Sequence, residues 1–247
     1  MISKNTLKFI KSLQQKKFRK QEDAFFVEGA KNVTELLLSD FEVTHLLYTA
    51  KYHEEHSQLI SSSNAASHEV SPKTLESAGS FKTNDAALAV AKIKKNTPFD
   101  IRKGELAIAL DDVRDPGNLG TIIRIADWYG IHKLVLSSQT ADFYNPKVLH
   151  SSMGSFTRVS FFYTDLEAYL PQQPLPVYGA FLEGENIHKR TLAPEGIILM
   201  GNEANGISPR LEKMVTEKLT IPRFGHAESL NVAIATAVIC DNFRRGG

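Results

Sequence analysis

The sequence predicts an α/β protein of two domains, the second an open parallel sheet with helices on both faces. Three observations carry this. Between residues 105 and 221 apolar runs alternate with helical stretches, at a spacing that calls for parallel pairing. The run Leu106-Ala107-Ile108-Ala109-Leu110 has no polar residue, as expected of a strand buried on both faces. A polar stretch at 96–104, with Asn96, Pro98 and Gly104, reads as a linker after a smaller α/β unit at 1–95. The second domain then runs over 105–247.

In the first unit, Leu7, Ile10 and Leu13 recur at helical spacing between lysines, which predicts a basic amphipathic helix over 5–17. A strand at 24–29, a helix at 30–38, a strand at 43–48 and a helix at 54–60 follow. A polar loop at 61–67 leads to a short strand at 68–70. Ser71-Pro72 opens the next helix, with serine as cap and proline in the first turn. Residues 87–93 close the unit as a strand. In the second domain strands are predicted at 106–110, 133–136, 158–162, 177–181, 197–200 and 219–221. Helices are predicted at 118–129, stopped by Gly130, from Asn145-Pro146-Lys147 to Met153, at 166–170, after Ser208-Pro209, and at 231–243.

Composition narrows the classes. The 42% hydrophobic and 23% charged content is that of an ordinary globular chain. No run reaches membrane-span length and no signal-like segment opens the chain, so a cytoplasmic location is expected. The single cysteine, Cys240, excludes an internal disulfide and reads as a buried thiol. His53 and His56 share a helix face, but no second ligand pair accompanies them and no metal is expected. Lys and Arg (29) nearly balance Asp and Glu (28), for a net charge of +1. Residues 1–20, however, hold seven basic residues and no acid, with Lys16, Lys17, Arg19 and Lys20 the densest part. That cluster is a candidate polyanion contact; a solvated helix face is the alternative.

Three Gly-containing loops fall at the carboxyl ends of predicted strands, where open α/β sheets bind ligands: 115–120, 201–206 and 223–229. The first has no Gly-Lys-Ser/Thr and no Gly-x-Gly-x-x-Gly, so kinase and dehydrogenase readings lose their main support. It offers Asn118 at a helix start and Arg124 further in, with Gly120 one turn before Arg124 on the same face. Arg124 suits a phosphate; an ion pair with Asp127 stands equally open. In the second loop Glu203 is a candidate partner for Arg124 or an acceptor for a ligand. In the third, Pro222 stops a strand, Gly225 permits a turn, and Glu228, Ser229 and Asn231 begin the last helix. That helix start is a candidate ligand site, or Ser229 or Glu228 simply caps it. No nucleophile-elbow pattern surrounds Ser229.

Taken together, the loops resemble the SpoU (TrmH-like) RNA 2′-O-ribose methyltransferases of the SPOUT superfamily. The matching residues are Asp115-Pro116-Gly117-Asn118-Leu119-Gly120 with Arg124, Gly201-Asn202-Glu203-Ala204 with Gly206-Ile207, and Ile221-Pro222 with Ser229-Leu230-Asn231-Val232-Ala233. Asn145-Pro146-Lys147 and Ser152-Met153-Gly154-Ser155 also look like family members. Residues 1–95 resemble the small RNA-binding domain that many members carry, through Phe26-Val27-Glu28-Gly29 and the basic lead-in. The resemblance implies a C-terminal trefoil knot, S-adenosylmethionine as methyl donor, and a homodimer packed through the knot region. It implies cofactor contacts at Gly201, Ile221 and Leu230, with Met200, Ala180, Phe181 and Leu182 lining the same cavity. It assigns Arg124 to activation of the ribose hydroxyl, oriented with the help of Asn118, Glu203, Ser229 and Asn231. The expected substrate is ribosomal RNA. The alternatives are transfer RNA, or a non-catalytic RNA-binding module on the same fold.

Overall fold

The computed structural model describes residues 2–245. In chain order the elements are α1 (Lys4–Ser12), α2 (Lys16–Glu22), β1 (Ala24–Glu28), α3 (Ala30–Leu37), β2 (Val43–Tyr48), α4 (Ala50–Ser62), β3 (Ala66–Glu69), α5 (Pro72–Ala78), β4 (Ala87–Lys92), β5 (Leu106–Leu110), α6 (Pro116–Trp128), β6 (Lys133–Leu136), α7 (Pro146–Ser152), β7 (Ser160–Tyr163), α8 (Leu166–Tyr169), β8 (Val177–Asn186), β9 (Gly196–Met200), α9 (Pro209–Glu212), β10 (Glu217–Thr220) and α10 (Val232–Arg244). They form two compact units. One runs up to Lys95 and includes Asp142–Thr157; the other is Asn96–Ala141 with the chain from Arg158 onward.

The first unit has its own sheet, in the order β1-β4-β2-β3, with β4 antiparallel to both neighbours and β2 parallel to β3. The one helix expected over 5–17 is two. Ile10 and Leu13 are buried, and the chain turns after Leu13. The Arg19 guanidinium holds that turn: Nη1 donates to the Leu13 and Gln14 carbonyls, both at 2.9 Å. These are carbonyls that a helix end leaves unpaired. Segment Asp142–Thr157 belongs here for two reasons. Asp142 accepts from Arg19 Nη2 at 2.5 Å, and Tyr144 (tilted) and Phe156 (edge to face) pack against Phe25 of β1 with ring centroids 4.6 and 6.0 Å apart. Aromatic pairs of this kind add to the area they bury. Periodicity alone puts this segment with the second domain.

The second unit is a six-stranded parallel sheet in the order β10-β8-β9-β5-β6-β7. Ile108, Leu110, Ile198 and Leu199 are fully buried at 0% exposure, each contributing about 1.5–3 kcal/mol. α6 and α10 are tied at both ends. Asn231, before α10, donates to Asn118 in the first turn of α6 at 2.9 Å. At the other end, Arg244 Nε donates to the Tyr129 carbonyl at 2.8 Å, placing a cation where the helix dipole favours one. β8 is longer than the strand predicted at 177–181. Lys218 of β10 faces Gly179, yet the next residue, Leu219, faces Glu185, so Ala180–Gly184 leave the β10 ladder as an excursion. No helix among the described residues is long and apolar enough to cross a membrane.

Candidate active site

The site in the second unit grows from one capping residue. Asn231 is the N-cap of α10: its Oδ1 accepts from the N–H groups of Ala233 at 2.9 Å and Ile234 at 3.3 Å. That corrects the expectation that Ser229 or Glu228 would cap this helix. With Oδ1 committed to the helix, Asn231 has only its Nδ2 donor to offer elsewhere. Nδ2 donates to Asn118 Oδ1, so Asn118 must in turn present its own Nδ2, which donates to Glu203 Oε1 at 2.7 Å. The helix terminus thus fixes the orientation of two amides and one carboxylate in sequence. One residue from each of the three motif loops takes part.

Each loop is held by its own local chemistry. Asp115 caps α6 by accepting from Asn118 N–H at 2.9 Å, with Pro116 in the first turn. This leaves the Asn118 side chain pointing away from the helix it begins. The loop after β9 closes on itself through paired Asn202 and Gly206 backbone bonds, both 2.9 Å. It closes so tightly that a Cβ on Gly201 would run into the backbone of Gly206 and Ile207. Asn202 Nδ2 donates to the Asp112 carbonyl at 2.7 Å, and the buried Asp111 carboxylate accepts from Ser208 N–H at 2.7 Å. β5 and β9 are neighbours, with Leu110 opposite Met200, so these bonds stitch the first loop to the second. Asp111 and Asn202 were not singled out in the sequence. Asn202 lies inside the Gly-Asn-Glu-Ala motif, the one signal that pointed to it.

Arg124 is exposed on α6. Asp127, its candidate ion-pair partner, is engaged by Arg158, whose Nη2 lies 2.8 Å from it. No carboxylate among the described residues pairs with Arg124, so the Asp127 pair is not formed. Gly120, one turn before Arg124, is buried. Glu203 is joined to Asn118 and not to Arg124.

The residues expected to contact cofactor lie on three adjacent strands. Gly179 of β8 faces both Leu199 of β9 and Lys218 of β10, so Ala180 and Met200 follow side by side at the carboxyl edge. Ala180, Phe181 and Leu182 begin the β8 excursion, whose base is pinned by Thr220 Oγ1 donating to the Phe181 carbonyl at 3.1 Å. Met200 is buried, Ile221 is half-buried, and Leu182 and Leu230 stand 73% and 50% exposed. Ser229 lies in the exposed loop and takes no part in the amide chain.

In the first unit, Lys16, Lys17 and Lys20 are exposed on α2. Arg19 is not available to a polyanion: it is 2% exposed, and its guanidinium is engaged by Leu13, Gln14 and Asp142. Cation count alone could not separate it from its neighbours.

Comparison with known proteins agrees with this geometry. Residues 105–241 match the SpoU rRNA Methylase family, and residues 4–89 match the MRM3-like substrate binding domain. The chain is 30% identical to the 23S rRNA (guanosine(2553)-2′-O)-methyltransferase of Bacillus subtilis, over 95% of this chain and 94% of that protein. It is 36% identical to a solved TrmH-family structure from Porphyromonas gingivalis described as a possible RNA methyltransferase, with a TM-score of 0.86 and 99% of both chains covered. It is 28% identical to an rRNA methyltransferase from Sinorhizobium meliloti solved with AdoMet bound, at a TM-score of 0.88 and covering 99% and 96% of the two chains. Three motif loops joined by one chain of hydrogen bonds, on a sheet shared with these relatives over nearly its whole length, place the chain in the SpoU rRNA methylase family.

Proposed function

We propose that this protein methylates a ribose 2′-hydroxyl of ribosomal RNA with S-adenosylmethionine as donor. The observation that carries the reading is the Glu203–Asn118–Asn231 chain, which joins the three motif loops, with an exposed Arg124 on the helix that Asn118 begins. It is supported by relatives named for this reaction. The strand ends fit the cofactor. Ala180–Gly184 are released from the β10 ladder and offer backbone donors and acceptors, while Leu182 and Leu230 present apolar side chains. An adenine ring needs that combination.

S-adenosylmethionine supplies a methyl group on a cationic sulfur, so the donor arrives already activated. What falls to the chain is positioning and charge. Arg124 binds the phosphate beside the acceptor ribose and stabilises the alkoxide that develops on its 2′-oxygen. Its guanidinium stays protonated and is no general base, so the proton of the 2′-hydroxyl passes to water. Asn118 and Asn231 hold the Glu203 carboxylate at the mouth of the site, and Ser229 and Leu230 border it from the loop that Asn231 anchors.

The remaining roles belong to the same proposal. The first unit binds the RNA, with Lys16, Lys17 and Lys20 on phosphates; its basic lead-in and the match to a substrate binding domain support this. We assign residues 1–95 to RNA binding, 96–104 to the linker and 105–247 to catalysis, with 142–157 packed in the first unit. The chain forms a trefoil knot at its C-terminal end, supported by β10 lying beyond β8 although it follows β9 in sequence. It forms a homodimer through the second unit, supported by Trp128 of α6 and Ile234 of α10, 83% and 54% exposed. Analytical ultracentrifugation giving a monomer at micromolar concentration would remove the dimer.

The test of the reaction is label transfer from tritiated S-adenosylmethionine to RNA from cells lacking the enzyme, separated into ribosomal and transfer fractions. Label in ribosomal RNA, with alkali resistance on its 3′ side, is expected. Label in transfer RNA alone would change the substrate, and cofactor binding without label in any RNA or ribosomal particle would leave a binding module.

A further inference from the structure

We propose that a cleft in the first unit is a subsite for single-stranded RNA, in which one base stacks on Phe81 and the adjoining phosphate meets Lys82. It rests on the RNA reading above and adds a place and a mode of contact. The cleft has a volume of about 620 Å³ and is lined by Ser80, Phe81, Lys82, Asn145, Lys147 and His150, among others. That volume falls in the range of small-ligand sites. The Phe81 and His150 rings meet edge to face, with centroids 4.7 Å apart and planes at 69°. Two rings at that angle form a corner: a flat base can stack on one and meet the edge of the other. Lys82 and His150 are exposed.

The loop carrying Phe81 is held far more firmly than an idle surface loop requires. Glu28, a carboxylate only 5% exposed, accepts from Ser80 N–H at 3.0 Å, from Phe81 N–H at 3.2 Å and from the Ser80 hydroxyl. A Cβ on Gly79 would collide with that carboxylate, so this approach requires glycine. Gln14 Nε2 donates to the Gly79 carbonyl at 2.7 Å. Asn84, 4% exposed, closes the far end by donating to the Ala87 carbonyl at 3.0 Å and accepting from Ala86 N–H at 3.1 Å. Burying a carboxylate is costly unless its oxygens are fully engaged. Here all the bonds named for it converge on the two residues at the lip of the cleft. The result is a pre-ordered platform with an aromatic ring and a cation side by side, the combination by which proteins hold single strands. Duplex RNA keeps its bases stacked on one another and cannot use it.

The test is fluorescence anisotropy of the full chain with a short, labelled, mixed-sequence RNA single strand, with S-adenosylmethionine affinity and methyl transfer measured alongside. Phe81→Ala should raise Kd for the strand roughly 5- to 150-fold, the loss of one base–aromatic stack. Phe81→Tyr should restore it, and neither should change cofactor affinity. Lys82→Ala should flatten the slope of log affinity against log salt by about 0.7, one phosphate contact on a single strand. Wild-type affinity in a folded Phe81→Ala variant would overturn the proposal, as would equal losses in the Ala and Tyr variants. Should Phe81→Ala fail to fold, an unchanged salt slope in Lys82→Ala overturns it. A wild-type chain that binds the strand through Phe81 and methylates no RNA would refute the enzyme reading and leave the subsite standing.

Discussion

Asn231 serves two masters, and the two can be separated by substitution. Its Oδ1 caps α10, and its Nδ2 holds Asn118. Asn231→Ala removes both. Loss of an N-cap costs about 1 kcal/mol, within a range of roughly 0.5–2, and the link to Asn118 adds about 0.5–1.5 kcal/mol. Asn231→Asp keeps the cap and places a negative charge at a helix N-terminus, where it is stabilising by about 0.3–1 kcal/mol. It offers no donor, however, and turns a carboxylate oxygen towards Asn118 Oδ1. With the lost link roughly offsetting that gain, the aspartate variant should melt near the wild-type temperature, above the alanine variant, and still lose activity. If the link contributes about 0.5–1.5 kcal/mol to holding Glu203 in its reactive position, kcat falls roughly 2- to 13-fold. The assay is single-turnover transfer of tritium to RNA, with thermal melting on the same samples. An aspartate variant of full activity would show that the amide chain positions nothing. One that melts as low as the alanine variant would show that the cap had been misassigned.

Other expectations follow from the same geometry. Arg124→Ala should bind S-adenosylmethionine normally by calorimetry and lose about 10²–10³-fold in kcat, as when one donor to a developing oxyanion is removed; normal turnover would take Arg124 out of the mechanism. Arg19→Ala should destabilise the first unit by about 3–5 kcal/mol, since it strands a partly buried Asp142, whereas Lys16→Ala should leave urea unfolding unchanged and weaken RNA binding in low salt. Gly201→Ala should cost about 1–3 kcal/mol through overpacking against Gly206 and Ile207, visible as a lowered melting temperature. Burial pushes the Cys240 thiol up from 9.0 to about 12. Between these pH values the unfolded chain binds fewer protons than the folded one, so stability falls as pH rises. Urea midpoints should drop across that window and drop less in Cys240→Ala; equal slopes would refute the assignment.

How far the sequence could be read depended on the kind of information each feature needed. The buried strands of the second unit were legible because an uninterrupted apolar run as short as 106–110 suits a strand covered on both faces and little else. The three loops were legible as motifs, but which residue touched which was not. Ser229 and Asn231 are both competent caps, and only the point at which the helix begins, Val232, selects Asn231. Arg19 looked like its lysine neighbours because charge counting carries no depth. Its burial follows from a turn after Leu13 that helical periodicity ran straight through. The β8 excursion was invisible for a similar reason: residues 180–184 continue a strand locally, and only a second strand shows that they have left the ladder. Segment 142–157 follows the second domain in chain order and in the family match, and its packing in the first unit was illegible because aromatic side chains pack across a long interval.

Asn118 and Asn231 are 113 residues apart in the chain. A ribosome adding about 5–20 residues per second needs roughly 6–23 s to travel between them. Throughout that interval Asn118 lacks the amide that fixes its orientation. The Glu203–Asn118–Asn231 chain therefore closes only once the cap of α10 has been made. Until then a nascent chain carries the motif loops without the bonds that join them, so their order is a property of the closed fold and not of the local sequence.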